Sequence, residues 1–209
     1  MPNNISFDLV KINKLPRPHI GIDEVGRGCL AGPVCAGVVI LDEKNPFDHY
    51  QDSKSLSEEN RHILSEDIKN NHYWALGWAS VVEVDNINIR QATFLAMSRA
   101  IESLVVKYDL KKEGTLLIDG RDVVPNIKSF EQLAIVKGDQ HLRSISAASI
   151  IAKVARDELM RTIAQEFPYY GFEKHKGYGT ELHREAIAKF KPTIHHRKTF
   201  GGVKEYIST

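Results

Sequence analysis

His19-Ile20-Gly21-Ile22-Asp23-Glu24-Val25-Gly26-Arg27-Gly28 is the stretch from which the rest of the chain can be read. An apolar, strand-like run closes on two adjacent carboxylates, and a glycine-flanked arginine follows at once. Carboxylates crowd together only where something offsets their repulsion, and a divalent cation does so well. Glycines let the backbone approach another molecule closely, and a guanidinium matches phosphate geometry. Side chains alternate along a strand, so Asp23 and Glu24 start on opposite faces. Both reach one site only if the strand ends or bulges there. Gly26 and Gly28 therefore predict irregular backbone over Asp23 to Gly28.

Outward from this strand (Ile20 to Glu24), Val34 to Leu41 reads as a second buried strand behind Pro33. Ser57-Glu58-Glu59 starts a helix that runs to about Asn70. Tyr73 to Val84 reads as a third strand, and Asp85 or Asn86 as the cap of the next helix. There Phe94, Met97, Ile101, Leu104, Val105 and Tyr108 form one apolar stripe. Thr115 to Ile118 and Ala134 to Val136 are short apolar strands. A long helix from about Leu142 to Gln165 carries a small face, Ala148, Ala152 and Ala155. Thr180 caps a last helix to about Phe190, which Pro192 stops. A helix crossing between the third and fourth strands implies a mixed sheet with helices on both faces, an α/β class.

The 209 residues suit one domain. Net charge is +1 and names no partner, but its distribution is uneven. Asp42 to Asp85 holds ten acids and four bases, whereas Lys174 to Lys204 holds eight bases, two acids and four histidines. Such asymmetry describes either two solvated faces or a basic segment that meets a polyanion. Two cysteines, Cys29 and Cys35, make no disulfide framework and fit a reducing compartment. Met1 to Lys14 lacks the apolar core of a signal peptide. The run Cys29 to Leu41 is too short and broken to span a bilayer. The expectation is a cytoplasmic monomer with no membrane partner.

Asp23, Glu24, Asp119 and Asp139 sit at strand ends or just after them. A rigid sheet holds such groups while loops leave room for substrate. Alone, Asp119-Gly120 reads as a plain turn. As a set, oxygen ligands without paired Cys or His favour Mg²⁺ or Mn²⁺ over Zn²⁺. They suit two-metal phosphodiester cleavage, with metals about 3.5–4 Å apart.

The series of motifs resembles the type 2 ribonuclease H family, ribonuclease HII. It comprises Gly21 to Gly28 with Ala31-Gly32-Pro33-Val34, then Asp52-Ser53-Lys54-Ser55-Leu56, then Asp119-Gly120. Lys137-Gly138-Asp139, Ser146 to Val154 with Arg156-Asp157, and His175-Lys176-Gly177-Tyr178-Gly179-Thr180 follow in order. The resemblance implies an RNase H-like fold with a five-stranded mixed sheet and a helical C-terminal extension, about 168–209, after an N-terminal extension of about 1–18. It implies Mg²⁺- or Mn²⁺-dependent cutting of RNA in RNA–DNA hybrids and incision at single ribonucleotides in duplex DNA, leaving 3′-hydroxyl and 5′-phosphate ends. Asp23, Glu24, Asp119 and Asp139 would be the catalytic and metal-binding acids. Asp157 stands as the alternative fourth acid or as an ion-pair partner of Arg156 or Lys153.

Only the 2′-hydroxyl tells RNA from DNA at one nucleotide. The resemblance supports Gly26-Arg27-Gly28 contacting it and Tyr178 stacking on the sugar. Spacing alone favours Tyr178 as a loop aromatic packed on a helix. Lys54, Lys176, Arg184 and Arg197-Lys198 are candidate phosphate contacts. His175, His183, His195 and His196 form no metal-ligand spacing and read as surface or phosphate-facing. Two rival readings are ribonuclease HIII, whose members usually carry lysine at Arg27 and a further N-terminal domain, and a non-catalytic hybrid-binding protein. A third is another RNase H-like nuclease acting on DNA junctions.

Overall fold

The computed structural model describes residues 12–47, 49–50 and 56–207. Five strands make one mixed sheet: β1 (His19–Val25), β2 (Val34–Ile40), β3 (Tyr73–Ala79), β4 (Thr115–Asp119) and β5 (Glu131–Ile135). Their spatial order is β3-β2-β1-β4-β5. β1, β2 and β3 pair antiparallel, whereas β4 lies parallel to β1 and β5 parallel to β4. The chain order explains the split. A short loop joins β1 to β2, and the return from β3 to β4 runs through the long helix α2 (Val81–Tyr108).

Alternation along β1 divides the core. Ile20 and Ile22 pack with Phe94, Met97, Ile101 and Leu104 of α2. On the other face, helix α4 (Arg143–Glu166) closes directly onto the strands. A Cβ on Gly37 would lie 2.4 Å from the Ala148 carbonyl oxygen, and one on Gly21 2.1 Å from the Ser144 carbonyl carbon. The small face of α4 thus meets glycines of the sheet, so its backbone sits where side chains would otherwise stand. Helix α1 (Glu58–Asn71) starts at the expected Ser57 cap, and α3 (Gly138–His141) is a single turn ahead of α4.

Two expectations need correction. β3 ends at Ala79 rather than Val84, because Ser80 and Glu83 form a reciprocal capping box: Ser80 Oγ accepts from Glu83 N, and Glu83 Oε2 from Ser80 N. Asp85 and Asn86 therefore lie inside α2. The helix breaks at Asn88 (φ 67°), whose Oδ1 accepts from Arg90 N and Gln91 N and restarts it. The other difference lies at β5, which begins at Glu131, ahead of the apolar run. Here ladder pairing with β4 defines an edge strand in which Glu131 and Leu133 are exposed and Gln132 is half-buried, bonded to the backbone of Val124 and Ile127.

The C-terminal extension comprises 3-10 turns at Pro168–Tyr170 and Lys204–Tyr206, the turn α5 (Phe172–His175) and helix α6 (Glu181–Phe190). Tyr170, Phe172 and Ala186 pack on Met160 and Ala164 of α4. Ile187 and Val203 close over Leu30.

Candidate active site

β1 runs regularly through Val25 and departs at Gly26 (φ 95°). The irregularity thus begins three residues later than expected, and Asp23 and Glu24 keep opposite faces. Ile22 pairs with Ile118 across the parallel ladder, so one residue on Asp23 and Asp119 stand side by side. Both lie on the α4 face, where Asp23 hydrogen-bonds Ser149. Glu24 lies on the α2 face near the strand end and shares a small cleft with Arg27, Arg90, Asp119 and Asp122. The acids therefore meet over the end of the sheet from both sides rather than within a bulge.

Their electrostatics agree. Burial, with the charges of Glu24 and then Asp119, holds the Asp23 carboxyl well above the usual range. Burial and Asp119 also raise Glu24, against the Arg27 guanidinium 3.0 Å away. Asp119 Oδ1 accepts the Gly138 N–H at 2.7 Å, which ties β4 to the turn carrying buried Asp139. Asp157 is instead ion-paired with Lys153 at 2.7 Å, one turn along α4.

Two arginines hold the loop between β1 and β2, and both are 0% exposed. Arg197 donates to the carbonyls of Gly26 (2.7 Å), Arg27 (2.9 Å) and Gly32 (2.8 and 3.0 Å). Arg156 donates to Pro33, Lys176 and Ala31 at 2.8–3.0 Å, and a Cβ on Gly26 would meet its Nε at 2.3 Å. Arg197 is thus no phosphate contact. Sequence reasoning missed both roles. Arg156 had a signal, since it continues the Ala148-Ala152 stripe at helical spacing, whereas Arg197 had none.

The Tyr178 loop is tied to this loop through a Cys29–Tyr178 bridge and a side-chain hydrogen bond between the same two residues. The Tyr178 side chain remains exposed. Lys176 is buried, and its ammonium donates to the Glu173 carbonyl. Arg184 is exposed and donates from Nε to Gly179 O at 3.0 Å. Lys198 is exposed, while its backbone N–H donates to Asp85. Lys54 lies outside the described residues.

The histidines are not surface groups. His175, His183 and His196 are buried, and only His195 is half-buried. Thr193 N donates to His196 Nδ1 at 2.9 Å, so His196 carries its proton on Nε2. That proton goes to His183 Nε2, 3.0 Å away, which leaves His183 Nδ1–H for the Tyr178 carbonyl at 2.9 Å. Burial lowers His183 to about 4 and His196 to about 3, so both stay neutral.

Among the described residues no three acids, histidines or cysteines converge into a ready metal cage. The donor set still fits a hard divalent cation: it is all oxygen, and burial and the Asp119 charge raise both Asp23 and Glu24, with Glu24 also raising Asp23, a penalty on the charged forms that a cation would relieve.

A mixed five-stranded sheet with carboxylates over its strand ends defines a nuclease of the RNase H-like class. The ribonuclease HII family model matches residues 20–202, and the chain belongs to that family. It is 48% identical to the ribonuclease HII of Zymomonas mobilis subsp. mobilis over 199 residues, 95% of this chain and 91% of that protein. The ribonuclease HII of Archaeoglobus fulgidus, solved in complex with PCNA, superposes with a TM-score of 0.72 at 24% identity over 90% of this chain and 97% of that one. Bst-RNase HIII, solved with Mn²⁺, scores 0.73 at 18% identity, over 94% of this chain and 70% of that one. Fold likeness alone therefore does not separate the two types, and sequence does. The protein is an endoribonuclease that hydrolyses RNA paired with DNA and incises at ribonucleotides in DNA, and its family uses divalent metal ions for catalysis. No helix among the described residues is long and apolar enough to cross a membrane.

Proposed function

We propose that Asp23, Glu24, Asp119 and Asp139 are the catalytic acids and hold two Mg²⁺ or Mn²⁺ ions. The observation that carries this is Asp119: it stands beside Asp23, shares a cleft with Glu24 and is joined to the Asp139 turn through the Gly138 N–H. When bound, the ions activate the attacking water and stabilise the leaving oxygen. The chain's own part is to present carboxylates on a rigid strand end. Asp139 is preferred to Asp157 because it adjoins the Gly138 N–H that Asp119 accepts, whereas Asp157 pairs with Lys153 within α4.

Gly26-Arg27-Gly28 reads the 2′-hydroxyl with backbone groups, Tyr178 stacks on the adjoining sugar, and Arg184 and Lys54 meet phosphates. Residues 1–209 act as one catalytic domain, a monomer in the cytoplasm, in keeping with two buried free thiols. The products carry 3′-hydroxyl and 5′-phosphate ends.

The test is a DNA duplex holding one ribonucleotide, incubated with Mg²⁺ or Mn²⁺. Incision by the wild type, reduced at least about a hundredfold in Asp119→Asn, is expected, which is the size of losing one electrostatic stabiliser of the transition state. Full activity in Asp119→Asn would overturn the assignment. Binding without incision under either metal would favour a binding module.

A further inference from the structure

We infer that Arg197 is a positioning residue for ribonucleotide recognition, setting which backbone groups of residues 26–28 face the substrate. The inference rests on the proposed reading of that loop as the part that meets the 2′-hydroxyl.

The peptide bonds following Gly26 and Arg27 are trans, and in a trans peptide the C=O and N–H point in opposite directions. Arg197 Nη2 takes the Gly26 carbonyl and Nη1 takes the Arg27 carbonyl. Fixing those two oxygens on one buried guanidinium turns the N–H groups of Arg27 and Gly28 the opposite way, outward. On that side the loop is open: Arg27 and Gly28 are exposed, and a Cβ on Gly28 would meet nothing within 4 Å. The outward pair adjoins Glu24 through the Arg27–Glu24 ion pair. Two parallel donors beside the acids are what an oxygen of the ribonucleotide would need.

Among the described residues no carboxylate makes an ion pair with Arg197; its partners are the backbone carbonyls of Gly26, Arg27 and Gly32, which an apolar side chain in the same space would leave without their donor. Of these three residues only Arg27 is exposed; Gly26 and Gly32 are buried. Gathering the three carbonyls on one buried cation fixes their direction. The cation is itself held, with Phe200 under its guanidinium at 5.1 Å and its backbone N–H donating to Leu30 O at 2.9 Å. Asp85 anchors the next two residues through Lys198 N and Thr199 N. Arg156 also packs on Gly26 and donates to the carbonyls of Ala31 and Pro33, so two buried guanidiniums hold the loop.

The test uses the full chain and the single-ribonucleotide duplex with Mg²⁺. Arg197→Lys keeps the buried charge but not the fork, and Arg197→Ala leaves a guanidinium-shaped space. Misdirected donors should lower kcat about a hundredfold while KM stays within about threefold, the signature of lost transition-state alignment. Guanidinium chloride at about 50 mM, well below denaturing concentration, should restore Arg197→Ala at least tenfold relative to equal NaCl and leave Arg197→Lys unchanged. A purely structural defect would be worsened by a denaturant, so failure of rescue in folded Arg197→Ala overturns the inference. If Arg197→Ala does not fold, Arg197→Lys decides: wild-type kcat in that variant, with native near-UV circular dichroism, overturns it, and the kcat loss at constant KM supports it. Wild-type enzyme that does not prefer the ribonucleotide duplex over all-DNA overturns the 2′-hydroxyl reading itself. Wild-type preference matched by both variants removes only the role of Arg197.

Discussion

Two regions of this molecule keep ionisable groups out of water, and they do so in opposite ways. At the acid edge, Asp23 is buried beside Glu24 and Asp119, like charge against like, and its carboxyl is pushed well up. In the C-terminal extension, His183 and His196 are buried in a chain of bonds in which every ring nitrogen has its partner, and Arg197 has a carbonyl for each arm. The second region is satisfied within the chain, whereas the first is left with repulsion that something from outside must relieve. In the reading proposed above, unrelieved charge marks the site, and satisfied charge marks the scaffold that aims it.

The contrast breaks most sharply under substitution. Asp23→Asn should cost at least about a hundredfold in incision yet raise the melting temperature measured in EDTA, since it removes a buried like charge. His183→Ala should do the reverse. It lowers stability by about 2–4 kcal/mol through a cavity and stranded partners, while incision by the folded fraction stays within about tenfold, the modest cost of loosening the Tyr178 carbonyl without touching the acids. If Asp23→Asn melts lower than wild type in EDTA, the acid edge is scaffold after all.

Acidity sharpens the same contrast. A carboxyl whose folded pKa is raised binds its proton more tightly in the native state. The stability it lends is present below about pH 4 and is lost as pH rises through the folded value. A histidine whose folded pKa is lowered binds its proton more tightly when unfolded, so stability falls as pH drops below about 6.5 and continues to fall toward the folded values of about 4 and 3. Melting curves in EDTA from pH 7.5 to about pH 5 should therefore show destabilisation in wild type that is reduced in His196→Gln. An unchanged pH slope in that variant would remove His196 as its source.

How much of this was legible in sequence follows the same division. Strands and the apolar stripe of α2 obey period, and acids at strand ends follow from where apolar runs stop, so β1, β2, β4 and Asp23, Glu24 and Asp119 could be read directly. The capping box at Ser80 was present as Ser-x-x-Glu but masked by the apolar Val81 and Val82, which continued the strand pattern. The histidines and Arg197 were misread as a basic, solvent-facing segment because composition records charge and not its partners. Their partners are one another and backbone groups, the carbonyls of Gly26, Arg27, Gly32, Tyr170 and Tyr178 and the N–H of Thr193, which no residue type announces. Asp139 was read from its motif, and what the fold adds is its attachment to Asp119 through one peptide group.

The smallest expected effect tests whether any of the basic segment meets substrate. Lys176 and Arg197 are turned inward, which leaves Arg184 as an exposed guanidinium on the extension, steadied by its Nε bond to Gly179. A phosphate contact at this position carries no sequence information and little of the chemistry, so Arg184→Ala should leave kcat unchanged and raise KM about threefold at moderate salt. Its signature is in the salt dependence. One phosphate contact fewer releases about one counterion fewer, so the slope of log affinity against log salt should become shallower by about 0.9. A higher KM with an unchanged slope would mean that Arg184 acts by bracing the Gly179 carbonyl beside Tyr178, and Arg184 would then be scaffold for that tyrosine.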